Sequence, residues 1–280
     1  MNMVPHINGA RETARRILKN RAAFCITVLC IMIIFVPVPP SGAEEYVSED
    51  WQVSVTPYLW GVSLKGDVTV KGKTAEMDLS FSDILDDLNM ALLFEADARK
   101  NRVGLYINTV WMQLEDDTSL LDITADVAAI GFGVYYRLGP WALDAEAGAS
   151  GPVLVTDIYA GGRYTFVGAE LEGKVIGFLD VDEDEAWVDP IIGVRTLWAL
   201  TPKWSLMVRG DIGGFGVNSD FVWQASGVVG YNFRLFGDDN AKVFAGYRAL
   251  DWDYSDGKGT RKFEWDMTAH GPTIGLQYHF

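Results

Sequence analysis

His270 is the side chain whose surroundings come closest to those of a catalytic base. Asp266 precedes it by four residues, and a carboxylate that orients a histidine is an arrangement used in nucleophilic catalysis. No serine with an identifiable place in such a site accompanies the pair, and His279 is only the penultimate residue. A histidine hydrogen-bonded to its neighbours is therefore the favoured interpretation. A hydrolase centred on His270 is the alternative.

Acidic runs are the second candidate for binding chemistry. One run contains Asp180, Asp182, Glu183, Asp184 and Glu185 in a predicted long loop, and the other, Glu115-Asp116-Asp117, lies in a second predicted loop. Carboxylates suit Ca²⁺ and Mg²⁺, but the first run lacks the glycine and the spacing of a defined calcium loop. Weak bridging of divalent cations is expected instead of a specific metal site. The glycine-rich residues 210–216 have no following helix and form no phosphate cradle, so no cofactor is predicted.

The first 43 residues are typical of a secretory signal peptide. Five Lys and Arg side chains in residues 11–21 precede the apolar residues 22–36, and the small residues Ser41-Gly42-Ala43 follow. A membrane anchor is the alternative, but the apolar run is shorter than the ~20 residues that a spanning helix needs. We therefore predict a signal peptide over residues 1–43 and a single exported domain over residues 44–280.

The exported domain is strongly acidic and contains no cysteine. It keeps 18 Lys and Arg against 37 Asp and Glu, a net charge of −19, and both cysteines lie in the segment that is removed. Nucleic acid is therefore excluded as a partner, whereas divalent cations are compatible with this charge. Thiol catalysis, thiolate metal sites and disulfides are excluded as well.

Residues 221–234 show the clearest structural pattern. Phe221, Trp223, Val229 and Tyr231 share one phase with small residues between them, and polar or small residues take the other phase. Aromatic residues at both ends of an apolar face are typical of a β-strand that crosses a bilayer. No later apolar run is long enough for a transmembrane helix, so a membrane location would require a closed barrel.

Similar alternation recurs along the chain and predicts ten antiparallel strands. They are expected at roughly 50–64, 89–99, 102–115, 120–137, 153–169, 187–200, 203–216, 220–235, 241–254 and 262–280. Short turns and the C-terminus would share one end, and longer loops the other. Twelve strands is the alternative, because residues 67–80 could be a spanning pair or an external hairpin. Residues 138–152 are also long for a short turn.

The final strand changes phase along its length. Trp265 and Met267 fall on the parity opposite to Ile274 and Leu276. A β-bulge at Gly271-Pro272 would restore agreement and would turn Asp266 and His270 inward.

Five short segments resemble a known family. They are TPYLWG (56–61), FSDIL (81–85), GDIGGFG (210–216), GYR (246–248) and GP (271–272), followed by the C-terminal Phe280. Together they resemble an uncharacterised family of Gram-negative outer-membrane β-barrels that is broadly similar to outer membrane protein A-type transmembrane domains. The resemblance implies an all-β barrel integral to the outer membrane, in contact with lipid and lipopolysaccharide. It also implies recognition of the strand ending at Phe280 by the barrel-assembly machinery, and no catalytic residues.

Charged side chains on the polar phase are the predicted lining of the lumen. They are Glu95, Asp97, Arg99, Asp157, Arg163, Asp189, Arg195, Arg209, Asp211, Arg248, Asp266 and His270. An Arg facing lipid near the bilayer centre would cost about 2 to 4 kcal/mol, so these groups should point inward and pair. The sequence predicts a narrow charged lumen, a structural or binding role or limited passage of small solutes, and no enzymatic activity.

Overall fold

A computed structural model describes residues 46–117, 121–144, 151–173, 181–235 and 238–280. The strands are β1 (Gln52–Trp60), β2 (Ser63–Val70), β3 (Lys73–Leu79), β4 (Leu88–Lys100), β5 (Val103–Asp117), β6 (Leu121–Arg137), β7 (Trp141–Ala142), β8 (Val153–Gly173), β9 (Val181–Ala199), β10 (Trp204–Gly214), β11 (Ser219–Leu235), β12 (Asp238–Asp256) and β13 (Phe263–His279). A helix α1 (Phe81–Asp86) and a 3-10 turn (Gly259–Arg261) accompany them. Within these ranges, no helix is long and apolar enough to cross a membrane. The predicted signal peptide lies outside the described residues.

Ten strands form a closed antiparallel barrel. The order around the barrel is β1, β4, β5, β6, β8, β9, β10, β11, β12 and β13, and β13 pairs back onto β1 with Tyr58 opposite Gly275. The predicted all-β barrel of ten strands is therefore confirmed. The alternative of twelve barrel strands is wrong, because β2 continues β1 along β13, β3 pairs with β2 outside the closed ring, and β7 is a two-residue strand beside β8.

The segment over residues 67–80 forms a hairpin beyond the barrel wall. After Gly61 and Val62 the chain continues as β2, which pairs with the first half of β13, and β3 folds back on β2. We call the end that carries this hairpin the loop end. The opposite end is the turn end, where residues 101–102 join β4 to β5. Asn101 adopts φ 54° there, a left-handed conformation that Asn tolerates better than most residues.

Side chains alternate between the outside and the interior of the barrel. On β11, Val229 is 48% exposed on the outer face, whereas its neighbour Val228 is 8% exposed. On β5 the exposed residues Leu105 and Ile107 alternate in the same way with the buried residues Tyr106 and Asn108. Because successive residues of a strand point to opposite faces, the apolar phase of the sequence becomes the outer surface.

The predicted bulge in the last strand is wrong. The β12–β13 register is constant from Ala241 opposite Tyr278 to Asp256 opposite Phe263, so no residue is inserted. Trp265 and Met267 instead point inward and are buried, while Ile274 points outward. The phase of apolar residues changes because the interior itself is apolar at the loop end. The strand does not need to switch faces.

Several predicted loops are parts of strands. β8 extends to Gly173 and β9 begins at Val181, so Asp182 to Glu185 lie within β9 and not in a loop. Glu115, Asp116 and Asp117 likewise end β5. The acidic segments of β5 and β9 pair with β6 and β8, respectively. Backbone pairing therefore continues beyond the apolar outer surface. Asp180 lies outside the described residues.

Helix α1 is fixed at its N-terminus by a capping box. The Ser80 hydroxyl accepts from the Asp83 backbone N–H, and the Asp83 carboxylate accepts from the Ser80 N–H at 2.8 Å. The hydrogen bond from the Ser80 hydroxyl is the main cause that lowers the pKa of Asp83. Ile84 then packs into the apolar interior of the loop end. This cap positions the one apolar side chain that α1 buries.

The cap gives α1 a defined dependence on pH. Because the folded-state pKa of Asp83 is depressed, its contribution is complete above the ordinary value of 3.8 and is lost as the pH falls through the lower folded value. We expect amide hydrogen exchange at Ile84, corrected for intrinsic rates, to show protection that declines only below about pH 4. Asp83→Asn should reduce protection at neutral pH and flatten the profile. Asp86→Asn, at the other end of α1, is the control and should leave the profile unchanged.

Candidate functional site in the barrel interior

The interior changes character along the barrel axis. Buried apolar side chains fill the loop end, and Val222, Leu250 and Met267 there are completely inaccessible. We call this set the apolar plug: Val62, Leu64, Ile84, Val110, Met112, Trp187, Ile191, Val222, Leu250, Trp252, Tyr254, Trp265 and Met267. Trp187 and Tyr254 stack with ring centroids 3.9 Å apart. Towards the middle and the turn end, the inward positions carry ionisable groups instead.

Arg195 is the most connected of these groups. It lies directly opposite Arg209 on the neighbouring strand, a like-charge pair that is destabilising unless counter-charges are present. Its guanidinium contacts Asp157 at 2.9 Å, Asp97 at 3.2 Å and Glu95 at 3.7 Å. Asp157 of the neighbouring strand β8 and two carboxylates of β4, which is not adjacent to β9, therefore meet at one arginine.

Arg209 is held by a carboxylate and two aromatic rings. Its Nη1 lies 2.8 Å from Glu95, and its guanidinium carbon is 4.9 Å from the ring centroids of both Tyr106 and Tyr159. Its Nε donates to the Tyr159 hydroxyl, which in turn donates to Asp211 at 2.7 Å. Ion pairing, cation–π contact and hydrogen bonding thus fix the same guanidinium.

Two further ion pairs are almost completely buried. Arg163 contacts Asp211 at 2.6 Å, and Arg137 binds both oxygens of Asp157 at 2.7 and 2.9 Å. We call the whole set the ion network: Glu95, Asp97, Arg137, Asp157, Arg163, Arg195, Arg209 and Asp211. Arg137 was not among the residues predicted from the sequence. Arg137 lies two residues after Tyr135 on β6, so both side chains point to the same face of the strand. That spacing is the sequence feature that could have identified Arg137.

Asp189 is buried but has no guanidinium partner. Its carboxylate accepts from the Ser219 N–H at 2.8 Å, from the Ser219 hydroxyl at 2.7 Å and from Trp187 Nε1 at 3.0 Å. The expectation that Asp189 pairs with an arginine is wrong, because these three neutral donors occupy its oxygens. Arg99 is also buried, and it donates to the carbonyl oxygen of Asn101 at the turn end.

Arg248 is buried beside neutral partners. Its guanidinium donates to the Tyr58 hydroxyl at 2.8 Å and to Gln224 Oε1 at 2.6 Å, and it lies 4.9 Å from the Trp60 ring centroid. Its Nε is buried without a hydrogen-bond partner. Arg248 therefore differs from the arginines of the ion network, each of which contacts a carboxylate.

Asp266 and His270 do not line the lumen, which corrects the sequence prediction. Without a bulge in β13 they share the parity of the outward-facing Ile274. His270 Nδ1 lies 2.7 Å from the hydroxyl of Tyr247, which is 51% exposed on the outer surface. Four residues along a strand correspond to about 13 Å, too far for Asp266 to orient the imidazole. The pair therefore lacks the geometry of a catalytic dyad.

Asp266 belongs to an exposed acidic row at the loop end. The pairing register places Asp253, Asp266, Asp67 and Glu76 side by side on four adjacent strands. Within the described residues, no three His, Cys, Asp or Glu side chains are arranged to hold a metal ion. The row is a concentration of negative charge on the outer face of the loop end.

The turn end contains a cavity that we call the chamber. Its outer part has a volume of about 720 Å³, with Pro202 and Lys203 at the rim and Asp97, Asp157 and Arg195 at depth. An inner part of about 110 Å³ continues towards the middle of the barrel and shares Arg195 with the outer part. Glu95, Arg209 and Arg248 line this inner part. The ion network therefore forms one wall of the chamber.

Comparisons with known proteins return likenesses only among solved structures. No family model and no curated protein matches the sequence. The outer membrane protease OmpT from Escherichia coli is similar at 9% identity and a TM-score of 0.40, covering 84% of this chain and 98% of that one. Ail, the attachment invasion locus protein of Yersinia pestis, gives 9% and 0.35, with coverage of 82% and 98%. The translocator domain of the autotransporter NalP from Neisseria meningitidis gives 10% and 0.34, with 99% of both chains covered. Likenesses of this size say nothing about ligand or activity.

The ion network predicts a large difference between two aspartates. Asp157→Ala removes the partner of both Arg137 and Arg195 and should lower the free energy of unfolding by about 3 to 5 kcal/mol, since it leaves buried charge uncompensated. Asp78→Ala breaks the exposed Lys65–Asp78 pair and should cost no more than about 1 kcal/mol. A denaturant titration measures both, if the folded fraction at each concentration is read from the faster migration of unheated barrel on gels. Equal effects of the two substitutions would contradict a stabilising network.

Proposed function

We propose that this protein is an integral β-barrel of the Gram-negative outer membrane whose interior is closed to bulk flow and serves a structural or binding role. The observation that carries the proposal is a closed barrel with an apolar outer surface and an interior filled by paired charges and apolar side chains. An apolar exterior around a polar or filled interior is the arrangement that a bilayer requires of β-structure.

The outer surface has the dimensions of a membrane-spanning belt. Exposed aliphatic side chains occupy it on successive strands, among them Ile107, Ile192 and Val229. On β11 they lie between Phe221 and Tyr231, which are ten residues or about 33 Å apart along the strand. At a tilt of about 40° this corresponds to a height of about 25 Å, the thickness of the apolar band of outer-membrane barrels. Lipid is therefore the proposed neighbour of this surface.

The turn end and the loop end of the barrel are proposed to lie on opposite sides of the outer membrane. Short turns face the periplasm in such barrels, which assigns the turn end and the chamber to the periplasm and the hairpin and α1 to the outside. The acidic row would then lie at the level of lipopolysaccharide, where divalent cations can bridge carboxylates and phosphates. The final strand β13, with the C-terminal Phe280 that follows it, is the proposed signal for the barrel-assembly machinery.

Two barriers in series support a closed lumen. The ion network crosses the middle of the barrel, and the apolar plug fills the loop end with no charged member. A hydrated ion would have to break paired charges and then enter a region where side chains such as Val222, Leu250 and Met267 leave no solvent-accessible surface, and both steps are costly. We propose that any passage is limited to small solutes at low rate.

An enzymatic role is not part of the proposal. The hydrolase hypothesis required His270 inside a site with a nucleophile, whereas His270 lies on the outer face beside Tyr247. Turnover of a lipid or peptide substrate that His270→Ala abolishes without loss of the folded barrel would reinstate that hypothesis.

The two barriers predict the effect of paired substitutions on conductance. Purified protein in planar bilayers should conduct little, and Arg209→Ala alone should remain closed because the apolar plug is intact. Trp252→Ala alone should also remain closed, whereas Arg209→Ala with Trp252→Ala should raise the conductance several-fold. Trp204→Ala, on the outer face, is the matched control for loss of an indole and should leave the conductance unchanged. A large steady conductance of the unmodified protein, unaffected by these substitutions, would contradict the closed lumen.

The location of the protein is directly testable. After cell fractionation the mature chain, beginning near residue 44, should be recovered in the outer membrane and should run faster on gels when unheated. Deletion of Phe280 should reduce the inserted fraction, while deletion within the exposed turn Gly257–Lys258 should not. Recovery of the intact chain as a soluble periplasmic protein would refute the proposed location.

A further inference from the structure

The chamber has a charge opposite to that of the protein. Among the described residues that line its outer and inner parts, eight are Lys or Arg and three are Asp or Glu. The cations are Arg99, Arg137, Arg195, Lys203, Arg209, Arg234, Lys242 and Arg248, and the anions are Glu95, Asp97 and Asp157. The lining therefore carries five more positive than negative charges, within a chain whose formal net charge is −15. We propose that the chamber binds an oxyanion group, phosphate or carboxylate, carried by a small solute or by a lipid headgroup. This inference rests on the proposed function and specifies its binding role.

Arg248 supplies an independent reason for an anion. It is 8% exposed, its hydrogen-bond partners Tyr58 and Gln224 are neutral, and its Nε has no partner. A buried guanidinium without a carboxylate is costly, because buried charges are normally paired. An oxyanion in the inner part of the chamber would supply the missing counter-charge. The three carboxylates of the lining contact Arg137, Arg195 and Arg209, and none of them forms an ion pair with Arg248.

The shape of the chamber sets the size and the route of the ligand. The apolar plug closes the loop end, so the proposed route begins at the rim near Lys203 and Asn232. A volume of about 720 Å³ lies within the range of pockets that hold small molecules, and it is too small for a folded partner. The inner part, at about 110 Å³, fits one phosphate or carboxylate group beside Arg248. A ligand with an anionic head at Arg248 and a polar body in the outer part fills both.

The chemistry of the chamber does not distinguish a free solute from a lipid headgroup. Both present phosphate oxygens, and guanidinium and ammonium groups bind either one. A soluble anion must reach the inner part through the rim. A phospholipid would have to place its headgroup over the rim from the adjacent leaflet. The two sources therefore differ in whether acyl chains are needed for binding.

Binding to the refolded barrel in zwitterionic detergent tests the proposal. Calorimetric titration with inorganic phosphate and with citrate at low ionic strength should show saturable binding at one site that weakens with added NaCl. Arg248→Gln should weaken it about tenfold, as expected for loss of a charge-assisted hydrogen bond. Lys203→Gln, at the exposed rim, should weaken it less and cannot impair the buried interior. Arg261→Gln, the same loss of charge at the loop end, should leave binding unchanged.

The outcomes separate this proposal from the one on which it rests. Binding only of short-chain phosphatidylglycerol, with the same loss in Arg248→Gln, would retain the anion site and identify a lipid headgroup as its ligand. Absence of saturable binding in a barrel that shows the heat-dependent gel shift would overturn the anion site, as would equal losses in Arg248→Gln and Arg261→Gln. If either of these last two results were found while the protein showed no conductance in planar bilayers, the proposal of a closed outer-membrane barrel would still stand. A large conductance would instead refute the closed barrel itself.

Discussion

The closing strand β13 pairs with three strands in uninterrupted registers, and this determines on which side of the wall each side chain lies. One edge of β13 follows β12 over its whole length, and the other follows β1 and then β2. Antiparallel pairing carries the same inward and outward assignment from strand to strand. A slip of one residue would turn Arg209 and Arg195 towards lipid at about 2 to 4 kcal/mol each and expose their carboxylates as well. The register is therefore specified by charge on one face and by hydrocarbon on the other.

The ion network and the apolar plug depend on each other. The plug keeps water from entering at the loop end, which lowers the local dielectric and strengthens the contacts of Arg163 and Arg209 with their carboxylates. The same exclusion of water raises the penalty for an unpaired charge. Networks of this kind specify one arrangement more than they add net stability, because the cost of removing both ions from water offsets much of their attraction. Tyr106 and Tyr159 reduce that cost by covering Arg209 with aromatic faces.

Most of the wall could be predicted from the sequence because period-2 alternation is a local property. It places Arg163, Arg195 and Asp211 in the interior, where the structure also has them. It could not show which carboxylate meets which arginine, since Asp97 and Arg195 are 98 residues apart and meet across the lumen. Alanines and glycines blur the alternation of β6, and the sequence pattern therefore does not show that Arg137 points inward. The inward prediction for His270 fails for a different reason: a bulge is needed only if the lumen is polar throughout, whereas Trp265 and Met267 belong to an apolar interior.

Closure also has a consequence for the order of folding. The contacts that complete the barrel join Ser54 to His279, so the two partners are 225 positions apart in the chain. All the remaining neighbours in the wall follow each other along the chain, or are separated there only by β2 and β3 or by β7. Such strand pairs can form as soon as both strands exist. The last contact must instead offset the entropy of closing a loop that contains almost the whole domain. Until β13 arrives, β1 has an unpaired edge and nothing holds Glu95 and Asp97 of β4 against the guanidinium groups of β9 and β10. Completion should therefore be the slow and all-or-none step, and a chain truncated before β13 would have neither a sealed wall nor a neutralised interior.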